Sequence, residues 1–135
     1  MKLLNLKSQK GSAVLEAALI LPILLMLLSG LVEFGEVFRI QQALTNAARE
    51  GARIGAIRLD RSTALSEAGA ITTDYLVRTG VNTANVTIDP KFSYLNGTEA
   101  IEVFINYSYA SRLTAWAPGL DNLDLKSRVI MRREA

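Results

Sequence analysis

The chain has 135 residues, half of them hydrophobic, a net charge of +2, and neither cysteine nor histidine. That length holds at most one small soluble domain. The missing residue types exclude a disulfide framework, a Cys/His zinc site, a cysteine nucleophile and any triad with a histidine base.

Lys2, Lys7 and Lys10 all precede Gly11, so beyond it 12 basic and 13 acidic residues nearly cancel. A nucleic-acid footprint needs basic charge concentrated on the folded part. Arg49, Arg53, Arg58 and Arg61 recur along one segment but are interrupted by Glu50 and Asp60, so no nucleic-acid partner is expected.

The first element is apolar. Ala17 to Val32 carries no charge, and Ser12 to Val32 gives 21 residues, where a membrane span needs about 20. The three leading lysines favour a cytoplasmic N-terminus by the positive-inside rule. A secretory signal peptide would end in a pair of small residues at its cleavage site, and Ser29–Phe38 offers none with suitable spacing. Glu16 interrupts the run. An acid inside a membrane segment is by default a functional hypothesis. It lies four residues after Ser12, about 6 Å along a helix, so one account is an acid that reaches the cytoplasmic headgroups. Pro22 removes an N–H and can kink the helix, and Ser29-Gly30 and Gly35 add weak points. Glu33 and Glu36 share a helix face and are expected to mark the outer membrane boundary.

From Ile40 the pattern turns amphipathic, with Ile40, Leu44, Ala47, Gly51, Ile54 and Arg58 stepping by three or four. Ala43, Ala47, Ala48, Gly51, Ala52 and Gly55 crowd one side, which allows close backbone approach. This face is expected to pack on the chain's own sheet, with contact between subunits as the alternative. A continuous helix over 12–58 would reach about 70 Å.

Asp60 or Ser62 can cap a second helix near Thr63–Thr79, stopped by Gly80, with Leu65, Ala68, Thr72, Leu76 and Thr79 as its apolar face. Val86, Ile88, Phe92 and Tyr94 then alternate, and Pro90 demands an edge or a bulge. Asn96-Gly97 is a hairpin signal. Ile101, Val103, Ile105, Tyr107 and Tyr109 form a second alternating strand, and Leu125, Val129 and Met131 a third within Leu123–Arg132. The expectation is an α+β protein: a long N-terminal helix, a second helix and a small antiparallel sheet of about three strands. The linker 111–120 holds Trp116, either as a plug over the core or as an exposed contact. Three Asn-X-Ser/Thr matches, at Asn85, Asn96 and Asn106, are taken as chance. No cofactor, metal or enzymatic activity is expected, since the candidate acids define no pocket.

Two features remain: the leader-Gly11-xxxx-Glu16 pattern followed by an apolar helix, and the stretches ALILPILLMLLSGLVEFGEVF (18–38) and QQALTNAAREGARIGA (41–56). The first resembles the class III signal of type IV pilin precursors. Together they resemble TadE-like minor pilins, or pseudopilins, of the tight-adherence (Tad) pilus, a type IVb system, and VIMRRE (129–134) fits the same likeness. The resemblance implies that a prepilin peptidase removes residues 1–11 as a leader, cutting between Gly11 and Ser12. It also implies that Glu16 registers the subunit by pairing with the freed α-amine of Ser12, and that 59–135 form an extracytoplasmic pilin-like head. The implied partners are the peptidase, other pilin-like subunits, the inner-membrane assembly machinery and membrane lipid. The implied location is the bacterial inner membrane, or the pilus surface after assembly, with a role in adhesion and biofilm. Ala17 after Glu16 and the sizeable C-terminal region argue against the major subunit. An unprocessed single-pass scaffold of a secretion or envelope complex is the alternative.

Overall fold

The computed structural model describes residues 6–115, 119 and 121–133. One helix dominates it: α1 runs from Leu6 to Ile57, 52 residues without a break, or about 78 Å. Its amphipathic half ends one residue before Arg58, and its N-terminal end continues through Gly11, which as an interior glycine costs only about 1 kcal/mol relative to alanine. Pro22 is accommodated inside the helix.

The two halves of α1 differ in what surrounds them. Residues 11–29 are exposed throughout, including Val14, Leu19, Leu21, Ile23, Leu25 and Leu28. From Glu33 onward a buried stripe begins, passing through Ile40, Leu44, Ala47, Ala48, Gly51, Ala52, Gly55 and Ala56. These steps of three and four are the period of a one-sided helix face.

Helix α2 spans Arg61–Arg78. It starts two residues before the sequence estimate because Asp60 is the N-cap, its carboxylate accepting from Ser62 N at 2.9 Å. Ala64, Ala68, Thr72 and Leu76 are buried, while Leu65 is only partly so. The helix closes in a Schellman arrangement: Gly80 sits at φ +73°, Val81 N donates to Leu76 O at 3.0 Å and Gly80 N to Val77 O at 3.1 Å.

Strands β1 (Val86–Leu95), β2 (Thr98–Ala110) and β3 (Asn122–Arg132) form one antiparallel sheet in the order β1-β2-β3. The turn sets its register. Asn96 and Gly97 both have positive φ, 52° and 79°, as a type I′ two-residue loop requires. Leu95 therefore faces Thr98, and Pro90 faces Val103. Counting back from the turn, alternate β1 residues point their backbone groups away from β2, and Pro90 is one of these. Its missing N–H costs no ladder bond, so the strand needs no bulge. By the same alternation the Lys126 carbonyl points off the far edge, where Gln41 Nε2 of α1 donates to it at 2.9 Å.

Both helices cover one face of the sheet. Ile101, Val103, Ile105, Tyr107 and Tyr109 enter the core from β2, with Val86, Ile88 and Phe92 from β1 and Leu123, Leu125, Val129 and Met131 from β3. Tyr94 has the right parity but lies near the hairpin end and is 71% exposed. The result is the α+β arrangement expected from the sequence.

Candidate functional site

The residues singled out from the sequence fall into two places on α1. Gly11, Ser12 and Glu16 lie on its free part, all exposed, and an added Cβ at Gly11 would meet nothing within 4 Å. Ser12, Leu15, Glu16, Leu19 and Ile20 border one shallow surface groove. The helical spacing thus puts Ser12 and Glu16 on the same side, one turn apart, with apolar neighbours.

Ala47, Gly51 and Gly55 lie on the covered part. The partner of the two glycines is chiefly α2, not the sheet that the sequence suggested. A Cβ on Gly51 would fall 2.0 Å from Thr72 Oγ1 and 2.7 Å from Ala68 O. At Gly55 it would fall 3.1 Å from Ala68 Cβ, 3.2 Å from Ala64 O and 3.2 Å from Ile101 Cγ2. The reason is geometric. Ala64, Ala68 and Thr72 present a matching row of small residues, so two backbones meet where a sheet would require larger side chains between them. This side of α1 is consequently occupied within the chain itself. The faces left free for other molecules are the apolar N-terminal half and the opposite flank, where Phe34 and Phe38 are exposed.

Glu33 and Glu36 separate. Glu36 stays near the surface, bonded to Arg39 at 2.7 and 3.0 Å, and Arg39 in turn donates to Thr79 O at 3.1 Å at the end of α2. That pairing holds the Glu36 carboxyl below its ordinary value. Glu33 is only 8% exposed and receives the Arg112 backbone N–H at 2.8 Å. Burial alone would raise its pKa, but the Arg112 N–H and the hydroxyls of Ser111 and Tyr109 together hold it below the ordinary range. Tyr109 moves the opposite way, raised first by burial and then by the neighbouring carboxylate. Its hydroxyl faces Glu33 without closing a well-formed hydrogen bond among the described residues. Glu33 therefore acts as a peg for the segment after β2, where a short 3-10 turn, η2, occupies Arg112–Ala115. Sequence spacing gave no sign of this, because the partner is a backbone amide 79 positions away. Trp116, expected either as a plug over the core or as an exposed contact, lies outside the described residues, as do Lys2 and Glu134.

Among the described residues no group of three or more acids could hold a metal ion. The other buried acid, Glu102, lies on the uncovered face of the sheet. It pairs with Arg128 through two bonds of 2.7 and 3.0 Å, with Lys91 Nζ at 3.5 Å. Arg128, then the desolvation it outweighs, sets its lowered pKa.

α1 is long and apolar enough to cross a membrane, with none of its most apolar window buried by the rest of the chain. Residues 11–53 match the family model of TadE-like proteins. The chain carries a TadE-like N-terminal helix. The match starts at the glycine of the leader pattern, takes in the whole apolar stretch, and ends on the small-residue face that α2 covers. The TadE-like segment is about a third of the chain, and most of the head lies beyond it. No curated protein and no solved structure matches the chain.

Proposed function

We propose that this TadE-like chain is a minor pilin-like structural subunit that helps assemble or prime a tight-adherence, type IVb pilus, and so supports surface adhesion and biofilm formation. The observation that carries the proposal is the family match over 11–53 on a helix whose first half is bare and whose second half is built into a head. Such a chain has a handle for lipid or for other helices and a folded part held at the end of it. In this account residues 1–10 face the cytoplasm, the apolar half of α1 spans the inner membrane, and the head lies outside. A prepilin peptidase cuts after Gly11 and leaves the apolar helix in place.

The freed amine of Ser12 then stands beside Glu16. An α-amine has a reference pKa of about 7.7–8.0, so it is largely protonated at neutral pH and offers the carboxylate a partner within the subunit or in its neighbour. Setting register is the best-attested use of buried charge pairs. Contacts with other pilin-like subunits and with the assembly machinery would use the free parts of α1, since α2 occupies the glycine face.

Two substitutions separate the steps. Gly11→Val places a branched side chain at the cut and should accumulate full-length precursor. Glu16→Gln keeps size without charge and should yield mature-length protein with impaired piliation. The N-terminus and mass of the chain from native membranes provide the readout. An intact N-terminus in the wild-type chain would refute processing and favour an unprocessed single-pass scaffold. Normal piliation by mature Glu16→Gln protein would refute the registration role.

A further inference from the structure

The junction between the bare and covered halves of α1 has a shape that neither the span nor the head requires. Glu33 draws the Arg112 amide down onto the helix. Leu113 follows one residue later, its own N–H bonded to Ser111 Oγ at 3.1 Å. Between Leu113 and the helix face formed by Leu25, Leu28 and Val32 lies an open notch of about 380 Å³, with Arg112 at its rim. Leu25 is eight residues before Glu33, about 12 Å along the helix. The hydrocarbon core is about 30 Å thick, so the notch occupies the outer half of the bilayer if Glu33 marks its boundary. Its apolar wall is continuous with the exposed membrane-spanning face.

The rim adds a specific group. Arg112 is exposed and makes no ion pair among the described residues. Glu36 is paired with Arg39 and Glu33 is bonded to the Arg112 backbone amide, so the Arg112 side chain acts on both carboxylates only through longer-range charge. A guanidinium presents a planar fork of donors suited to phosphate.

We propose that this notch seats one outer-leaflet phospholipid, with an acyl chain between Leu113 and the Leu25–Val32 face and the phosphate at Arg112. The inference rests on the membrane-spanning part of the proposed function, but not on cleavage or pilus assembly. Bulk lipid would contact any exposed leucine of α1. What sets the notch apart is a second wall contributed by the head, pegged by a buried carboxylate, with an exposed guanidinium at its rim. The bound lipid would fix the depth and orientation at which the head leaves the membrane.

The test uses the full chain in vesicles of phosphatidylethanolamine and phosphatidylglycerol at three to one. A photoreactive diazirine analogue of leucine replaces Leu113 in one sample and Leu21 in another, and products are weighed after illumination. Expected is a one-phospholipid adduct at both positions. Arg112→Gln, which leaves the Arg112 amide and the Glu33 peg in place, should lower the adduct at 113 severalfold and leave that at 21 unchanged. A circular dichroism melt of Arg112→Gln should match the wild type. Lipid adducts at 21 with only water adducts at 113 would overturn the notch while leaving the span intact. A chain-to-chain crosslink at 113 would assign the notch to a neighbouring helix and overturn the lipid. Absence of lipid adducts at both positions would remove the span, and the proposal with it. An unchanged adduct at 113 in Arg112→Gln would refute the phosphate contact.

Discussion

Gly51→Ala tests the close seam between α1 and α2 with a single methyl group. In an ordinary helix interior this change would stabilise by about 1 kcal/mol, because glycine has the greater backbone entropy to lose. Here the new Cβ would stand 2.0 Å from Thr72 Oγ1 and 2.7 Å from Ala68 O. Thr72 can yield only by turning its hydroxyl away from Ala68 O, to which it donates at 2.7 Å, at a cost of about 1 kcal/mol for the bond. Ala68 O is backbone and cannot rotate aside. The helices must instead part by about 0.7 Å to restore an ordinary 3.4 Å contact, and a gap of about 0.5–1 Å forfeits a quarter to a half of the dispersion well along the seam. Overpacking of this kind costs about 1–3 kcal/mol; the lost Thr72 bond offsets the propensity gain, so the head should lose on the order of 1–3 kcal/mol in all. For a head of this size that corresponds to a fall in melting temperature of several degrees to about 15 °C.

Thermal and denaturant melts of the full chain in detergent, followed by circular dichroism, measure it. Gly35→Ala is the control, since its Cβ would meet nothing within 4 Å, and it should be neutral or slightly stabilising. Adding Thr72→Ala to Gly51→Ala removes the nearest clash and should recover part of the loss, leaving the Ala68 O contact. Gly51→Ala as stable as Gly35→Ala would refute the close approach of the two helices.

Three further outcomes follow from the head. Glu33→Gln keeps the shape but weakens the acceptor for the Arg112 N–H, so hydrogen exchange at Arg112 and Leu113 should accelerate about tenfold, matching roughly 1.4 kcal/mol, while the core strands keep their protection; unchanged exchange would show that the peg is idle. Acid should loosen the sheet: Glu102 and Glu33 have folded pKa values below the ordinary 4.5, so their contribution is present above that value and is lost as pH falls through the folded values. A melting temperature unaffected below pH 4.5 in wild type, or the same acid dependence in Glu102→Gln/Glu33→Gln, would contradict this assignment. Arg133→Ala removes bonds to Glu99 at 2.5 Å, Arg58 O at 2.6 Å and Leu59 O at 3.2 Å. It should destabilise the head by about 1.5–3 kcal/mol, as for hydrogen bonds to charged groups, visible as a lower denaturation midpoint, whereas an unchanged midpoint would make the tip contacts dispensable.

The sequence was most informative where a local rule acts alone. The apolar run, Asp60 as cap, Gly80 as stop and the Asn96-Gly97 turn each declare themselves within a few residues. The turn also fixes the rest of the ladder: once Leu95 faces Thr98, Lys91 must face Glu102, so that ion pair is implicit in the sequence. The destination of the glycine face was not. Periodicity shows that a face is narrow and small but not which element fills it, and α2 could supply its own row of small residues. Glu33 was harder still. It looked like Glu36, three positions on, and only the fold shows that one meets solvent and an arginine while the other holds an amide from beyond β2. Arg133 reaching the end of α1 left no trace in spacing either. Gly11, Ser12 and Glu16 were legible as a pattern, and their roles remain part of the proposed function.

The continuity of α1 also has a mechanical side. The helix that would be gripped by a membrane or a neighbour is the same helix that forms a wall of the core from Ile40 to Ala56. It runs antiparallel to β2, with Gly55 beside Ile101 at one end and Glu33 beside Arg112 at the other. A pull on the N-terminal end along the axis therefore loads the packing between α1, α2 and the sheet in shear, with many contacts resisting together. No hinge or linker intervenes to take up slack. A chain built this way can be drawn lengthwise by its handle and bring its head along as one piece, whereas a sideways pull at Glu33 would peel the contacts one turn at a time.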